Sequence, residues 1–179
     1  MDYITTERLT IRRFRQEDWQ DLYEYLSNER VVYYEPYDVF SEDACKEEAI
    51  RRANNEAFWA VCLKSDKVIG NLYLERQAFN TWELGYVFNE KYHNNGYATE
   101  SAKALINYAF DELEARRIIA MCNPVNTSSW KLLERLNMRR EGCLLQNTYF
   151  KKDKNNQPIW LDTYEYAILL NEWQKNLHG

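Results

Sequence analysis

Six residues in mid-chain, His93-Asn94-Asn95-Gly96-Tyr97-Ala98, have the composition of an anion-binding turn. Residues 82–88 before them suit a strand, being aromatic and branched with few breakers. After them Ala98, Ala102, Leu105, Ile106, Ala109, Phe110 and Leu113 recur at gaps of three and four, which is one apolar stripe of a helix. Amides in the first turn of a helix point outward unpaired, and the helix dipole favours negative charge there. A phosphate-bearing ligand is therefore the chemistry this junction suits. Gly96 offers backbone without Cβ bulk where a ligand must come close, and Asn94 or Asn95 is placed to cap the helix. Asn-Gly is also a common hairpin signal, but the residues after Gly96 lack the alternation of a second strand. No Gly-Lys-Ser/Thr follows, so this is not a Walker loop, and the three spaced glycines of a dinucleotide fold are missing.

Other reactive groups are few. With two histidines, His93 and His178, the second one residue from the end, a Ser-His-Asp triad or a zinc site is hard to build. Cys45, Cys62, Cys122 and Cys143 are scattered with no Cys-x-x-Cys spacing. They read as small buried apolar side chains in a reducing cytoplasm, and no metal is expected.

The elements that must position the turn follow from the same patterns. Leu9, Ile11 and Phe14 suggest a first strand. Residues 16–26 read as a helix with Trp19, Leu22, Tyr23 and Leu26 on one face, and 31–37 as an aromatic loop broken at Pro36. Ser41 can cap a helix over 42–53, whose acidic first turn suits the dipole. Strands over 58–63 and 68–74 are joined by Ser65-Asp66-Lys67. Beyond the central strand, turn and helix comes a short apolar strand at 117–122, so strand-helix-strand implies a parallel, right-handed crossover. Pro124 ends that strand, Thr127 or Ser128 caps a helix running to Leu136, and strands over 142–150 and 159–169 flank a polar hairpin loop. The 179 residues make one mixed α/β domain over 1–179. There is no apolar run of membrane-spanning length, and the start of the chain, with Asp2 and Glu7, has no secretory core. A net charge of −5 without a basic run argues against nucleic acid. An acidic exterior is compatible with a cationic amine but decides little.

His93-x-x-Gly96-x-Ala98 resembles the Q/R-x-x-G-x-G/A acyl-CoA pyrophosphate loop of the GNAT superfamily of N-acetyltransferases, with His93 where Gln or Arg is usual. The longer wording E-L-G-Y-V-F…N-G-Y-A-T-E-S is similar to the RimJ/RimL-type branch. Residues 6–12 (T-E-R-L-T-I-R) resemble that branch's opening strand, and residues 126–138 its N-x-x-S…L-E-K-L-G-F helix, with Asn137 and Met138 in place of Gly-Phe. Trp160-x-Asp162-x-x-x-Tyr166-Ala167 with Glu172-Trp173 resembles its closing strand and tail. The resemblance implies a GNAT fold: a mixed, largely antiparallel sheet of about seven strands, splayed at a cofactor cleft and flanked by helices.

It also implies roles. His93 and the amides of Asn94, Asn95, Gly96, Tyr97, Ala98 and Thr99 would hold the pyrophosphate of acetyl-CoA. Tyr86, Val87 and Phe88 would pair through their backbones with the pantetheine arm. An N–H near Val87 would face the thioester oxygen, worth ~3 kcal/mol in the transition state. Asn126 would add a cofactor contact or form an Asx turn. Glu83 is the candidate general base, directly or through water, and otherwise an edge carboxylate. The family's usual proton-donating tyrosine corresponds to Leu133, which leaves Ser129 as candidate donor, unless it only hydrogen-bonds within its helix. Tyr33, Tyr34, Glu35, Tyr37 and Trp82 are candidate acceptor-binding residues, or else loop and core packing.

Only a neutral amine attacks. An α-amine with pKa ~8 is far more often neutral at pH 7 than a lysine at ~10.4. The leading acceptor is thus the α-amine of a protein or peptide. A small amine such as a polyamine or antibiotic is the alternative within the same enzyme class. A non-catalytic acyl-CoA-binding module and a covalent route through Cys122 or Cys143 are further options. The chain is expected to be a cytoplasmic monomer or homodimer, with Trp173 buried either in the domain or between copies.

Overall fold

Eight strands form one sheet in the order β1-β2-β3-β4-β5-β6-β8-β7, where β1 is Tyr3–Thr5, β2 Leu9–Arg13, β3 Phe58–Leu63, β4 Val68–Arg76, β5 Thr81–Phe88, β6 Arg117–Cys122, β7 Arg139–Lys152 and β8 Pro158–Leu169. The computed structural model describes residues 3–178, with side chains described over 3–175; Asp2 and the His178 side chain lie outside these. Every neighbouring pair of strands is antiparallel except β5 and β6, joined by the expected crossover helix α4 (Tyr97–Asp111). The other helices are α1 (Trp19–Leu26), α2 (Glu29–Val32), α3 (Glu42–Ala53), α5 (Thr127–Arg135) and α6 (Leu170–His178). No described helix is long and apolar enough to cross a membrane.

Both faces of the central sheet are covered, which explains why β3 reads as an unbroken apolar run instead of an alternating one. Trp59 and Val61 enter the core on one face with Leu105, Ile106 and Phe110 of α4. Ala60 and Cys62 enter the second core with Leu22, Tyr25 and Leu26 of α1 and Ala49 of α3. The period of two that assigns neighbours to opposite cores holds in β5 as well, where Leu84 and Phe88 belong to the α4 side and Val87 to the α1/α3 side. Trp173 of α6 packs on Phe110 and donates from Nε1 to Asn107 Oδ1 at 2.7 Å, so it is buried within the domain.

Several details differ from expectation. The eighth strand is β1, three residues long and too short to show periodicity; it pairs Tyr3 with Arg12 and Thr5 with Thr10. The helix expected over 16–26 begins as a 3-10 turn at Gln16–Asp18, where Asp18 takes two 2.9 Å hydrogen bonds from Arg12. Part of the aromatic loop is the four-residue α2, capped by Asn28. Ser41 caps α3 as expected, accepting from the Ala44 amide at 3.2 Å. Asn126, not Thr127 or Ser128, caps α5. The residue before α4 is Gly96, and neither Asn94 nor Asn95 caps that helix.

Candidate active site

β5 and β6 pair only through Thr81–Arg117, Trp82–Ile118 and Glu83–Ile119. Past Glu83 they part: β5 stays with β4 as far as Phe88–Gly70, while β6 follows β8 as far as Cys122–Tyr164. The gap is a cleft of about 1030 Å³, floored by residues 83–88 and walled by the start of α4 and the start of α5. That is at the upper end of ordinary small-molecule sites, roughly 300–1,000 Å³. The direction of the β5 backbone follows from its end bonds. The Gln77 amide donates to the Thr81 carbonyl and the Asn89 amide to the Ile69 carbonyl, so odd-numbered residues of β5 bond toward β4. In an antiparallel ladder direction alternates by residue. Past the Glu83–Ile119 rung, which takes up the Leu84 amide, Tyr86 and the Phe88 amide therefore turn toward the cleft, the Phe88 carbonyl being held by His93, and Val87 does not. The amides near Val87 that face the cleft are thus those of Tyr86 and Phe88, not its own; Val87 still lines the cleft.

At one end of the cleft the turn is built for close approach. Gly96 has φ +79°, and Asn94 also lies in the left-handed region at φ 62°. Asn95 does not line the cleft: its Nδ2 donates to the Tyr92 and His93 carbonyls at 3.2 and 2.9 Å, and its own carbonyl accepts from Arg8 at 2.9 Å. It holds the turn in shape. Arg8 and Thr6 occupy the Glu100 carboxylate, with Arg8 Nη2 at 2.6 Å, which neutralises the one acidic group in the first turn of α4. His93 Nε2 lies 3.1 Å from the Phe88 carbonyl, so that nitrogen carries the proton and spans the strand and the turn. No described side chain caps α4, and Tyr97, Ala98 and Thr99 line the cleft with His93, Asn94 and Gly96. Unspent first-turn amides beside a left-handed glycine and a free strand edge fit a pyrophosphate followed by an extended, amide-bearing arm. Arg135, which the sequence reading missed, lines the same end with Nε 3.4 Å from Thr99 Oγ1. It sits in a helical pattern with nothing in its neighbours to mark it as a ligand contact.

The middle of the cleft brings together Glu83, Tyr86, Cys122, Asn126 and Ser129. Glu83 lies opposite Glu75 on β4 and accepts from Gln77 Nε2 at 3.2 Å. Burial, then the Glu75 charge, pushes its carboxyl above the usual range. Asn126 Oδ1 accepts from the Ser129 amide at 3.3 Å, the turn role that was its alternative, while the residue also lines the cleft. Ser129 Oγ is 2.9 Å from the Tyr86 hydroxyl and also meets Cys122, so its partners lie outside its own helix. Burial pushes the Cys122 thiol up to about 11, which starves a covalent route of thiolate. Cys143 is exposed in a separate shallow hollow. Leu133 is fully buried in the core and does not line the cleft.

The other end is closed by the α2–α3 connection and the β7–β8 hairpin. Tyr34 and Glu35 line it, and burial pushes the Glu35 carboxyl up to about 7 against a Tyr37 hydrogen bond and the Arg52 charge. Arg52 itself is buried, held by Glu48 at 2.6 Å and Asn71 at 2.8 Å. Tyr33 points outward, 67% exposed, with its ring edge-on to Tyr34. Tyr37 packs edge-on with Phe40, and Trp82 packs against the α4-side core; neither lines the cleft. Opposite stand Asn147, Thr148, Phe150, Leu161, Asp162 and Thr163, all legible beforehand only as strand residues. An ion pair between Lys151 and Asp38, 3.2 Å, ties the hairpin to the loop. No cluster among the described residues could hold a metal ion.

Known proteins share this fold. The family model of the acetyltransferase (GNAT) domain matches residues 8–139. The uncharacterized N-acetyltransferase YnaD of Bacillus subtilis (strain 168) is 41% identical over 176 residues, covering 96% of this chain and 99% of the relative. The crystal structure of a GNAT-family acetyltransferase from Bacillus anthracis superimposes with a TM-score of 0.85 at 37% identity, covering 95% of this chain and 99% of that one. At the level of fold alone, spermidine N-acetyltransferase from Vibrio cholerae, solved with CoA and spermine, matches with a TM-score of 0.78 at 18% identity over 94% of this chain and 99% of that one. The chain belongs to the GNAT family of N-acetyltransferases and is an acyltransferase.

Proposed function

We propose that this protein transfers the acetyl group of acetyl-CoA directly to a primary amine held in the same cleft, and that the α-amine of a protein or peptide is the leading acceptor. The observation that carries this reading is the continuity of one cleft past an uncapped helix start, a free strand edge and a carboxyl of raised pKa. The amides of 94–99 hold the pyrophosphate, and the Leu84 carbonyl, Tyr86 and the Phe88 amide offer the arm an edge to pair with. The amine enters from the Glu35 end, and Glu83 takes its proton directly or through a water. A cleft-facing β5 amide stabilises the oxyanion, and Ser129 faces the departing sulfur. On this reading residues 1–179 form one GNAT domain of RimJ/RimL type, acting in the cytoplasm as a monomer or homodimer without metal, membrane or nucleic acid.

A second reading keeps the chemistry and changes the acceptor. Glu35, Glu83 and Asp162 all line the cleft, and Glu35 has no ion-pair partner among the described residues. Carboxylates spaced along a groove suit a small amine with more than one positive charge. Thiol release from acetyl-CoA, measured with N-terminal peptides, N-acetylated lysine peptides, polyamines and aminoglycosides, tests both. The first reading expects turnover with free N-termini and little with blocked ones; preference for polyamines favours the second. Tight CoA binding with no thiol release from any amine would contradict both and leave a binding module.

A further inference from the structure

We propose that Tyr86 is a positioning residue for the leaving-group half of the reaction, its phenol replacing the hydrogen bond that Ser129 gives up as Ser129 turns to the departing sulfur. This rests on the acetyl-transfer reading above. Backbone pairing with the cofactor was the role expected of Tyr86 from the sequence; its side chain carries a separate one. The Tyr86 hydroxyl lies 3.0 Å from the Ser129 carbonyl oxygen and 2.9 Å from Ser129 Oγ. One phenolic proton serves one acceptor at a time, and these two acceptors are at equal reach. At rest Tyr86 donates to the carbonyl, and the Ser129 hydroxyl donates to the phenol oxygen or to Cys122.

During transfer the amine nitrogen bonds to the acetyl carbon, its proton passes to Glu83, and the carbon–sulfur bond breaks with its electron pair left on sulfur. The Ser129 hydroxyl then rotates to donate to that sulfur. Tyr86 swings its proton from the carbonyl to Oγ, so Ser129 is never left with its oxygen unpartnered. No proton leaves Tyr86; the thiolate gains its proton from solvent on release. Burial holds the phenol far above its ordinary pKa, which keeps it a donor throughout the working range. Leu133, at the position where the resembled family carries its tyrosine, is sealed in the core, while a phenol enters the middle of the cleft from β5.

The test is a cycle of Tyr86→Phe, Ser129→Ala and the double variant, read by kcat, by KM for acetyl-CoA and by CoA affinity in calorimetry. Tyr86→Phe is expected to lower kcat about tenfold, the size of one transition-state hydrogen bond, with CoA affinity within about twofold. In the Ser129→Ala background the same change should cost less than about twofold, and the loss should be flat with pH. Ser129→Thr, which keeps a hydroxyl, should keep the dependence on Tyr86. Independent, multiplying losses, or a loss carried by CoA affinity, would overturn the proposal while leaving acetyl transfer intact. A wild-type protein that binds CoA yet releases no thiol would overturn the underlying reading instead.

Discussion

Glu83 and Ile119 form the last rung that joins β5 to β6, so the Glu83 carboxyl stands at the vertex from which the cleft opens. The same residue faces Glu75 on its other neighbour, β4. A carboxyl at a strand fork is shielded by backbone on both sides, and a like charge opposite raises its pKa further.

That placement predicts the acid limb of the rate profile. Below its pKa Glu83 is protonated and accepts nothing, so kcat/KM should fall as pH drops, with a midpoint above the ~4.3 of an ordinary glutamate. Glu83→Gln should cost about 10²-fold at pH 7 and less at high pH, where the amine is already neutral. Glu75→Gln should move the limb to lower pH. Steady-state rates across pH check all three; an unchanged rate for Glu83→Gln at pH 7 would remove it from the mechanism.

Gly96 supplies the second prediction. An added Cβ would meet only the flexible end of Arg8, at 3.4 Å, so the cost of substitution is conformational. At φ +79° a side chain costs ~1–2 kcal/mol. Relief of that strain would re-aim the amides of Tyr97 to Thr99. Gly96→Ala should weaken CoA binding at least about tenfold by calorimetry, with a modest loss of thermal stability; full affinity would count against this turn as the phosphate site.

Glu35 ties function to stability. Its folded pKa of about 7 is raised above the unfolded ~4.3, so folding is favoured fully below the unfolded value and loses stability as pH rises through about 7. Glu35→Gln should therefore raise the melting temperature at pH 8 and change little at pH 4. The gain is at most ~4 kcal/mol and smaller where cleft water screens the charge. The variant should also raise KM for a cationic acceptor above pH 7, where the wild-type carboxyl is charged. Equal melting temperatures at pH 8 would place Glu35 in a wetter setting than this one.

Much of this was legible beforehand because both covering layers force long apolar runs on β3 to β6, and α4 repeats every three to four residues. The bounds of β3 and β6 match the sequence reading residue for residue. The turn at Gly96 follows from one strand-turn-helix wording, whereas the fork beside Glu83 was expected only from the family resemblance. Geometry without a local signal was not legible. The α5 cap fell to Asn126 because a side chain one residue earlier reaches the Ser129 amide. Val87 lost its expected amide role because ladder direction depends on which residue of β4 it faces. Arg135 and the residues of the β7–β8 hairpin reach the cleft only through tertiary packing, which no short pattern encodes. Tyr33, Tyr37 and Trp82 lie in segments that border the cleft, but their side chains turn outward or into packing, the alternative the sequence reading held open.

The most direct test of the account is a titration of the 15N-labelled protein with CoA, followed by backbone amide shifts. The account predicts the largest changes at Tyr86, Phe88 and Gly96 to Thr99, with the Val87 amide, bonded to β4, moving much less. Changes confined to the β7–β8 hairpin or to the α1/α3 face, with the residues of the Gly96 turn unmoved, would contradict it.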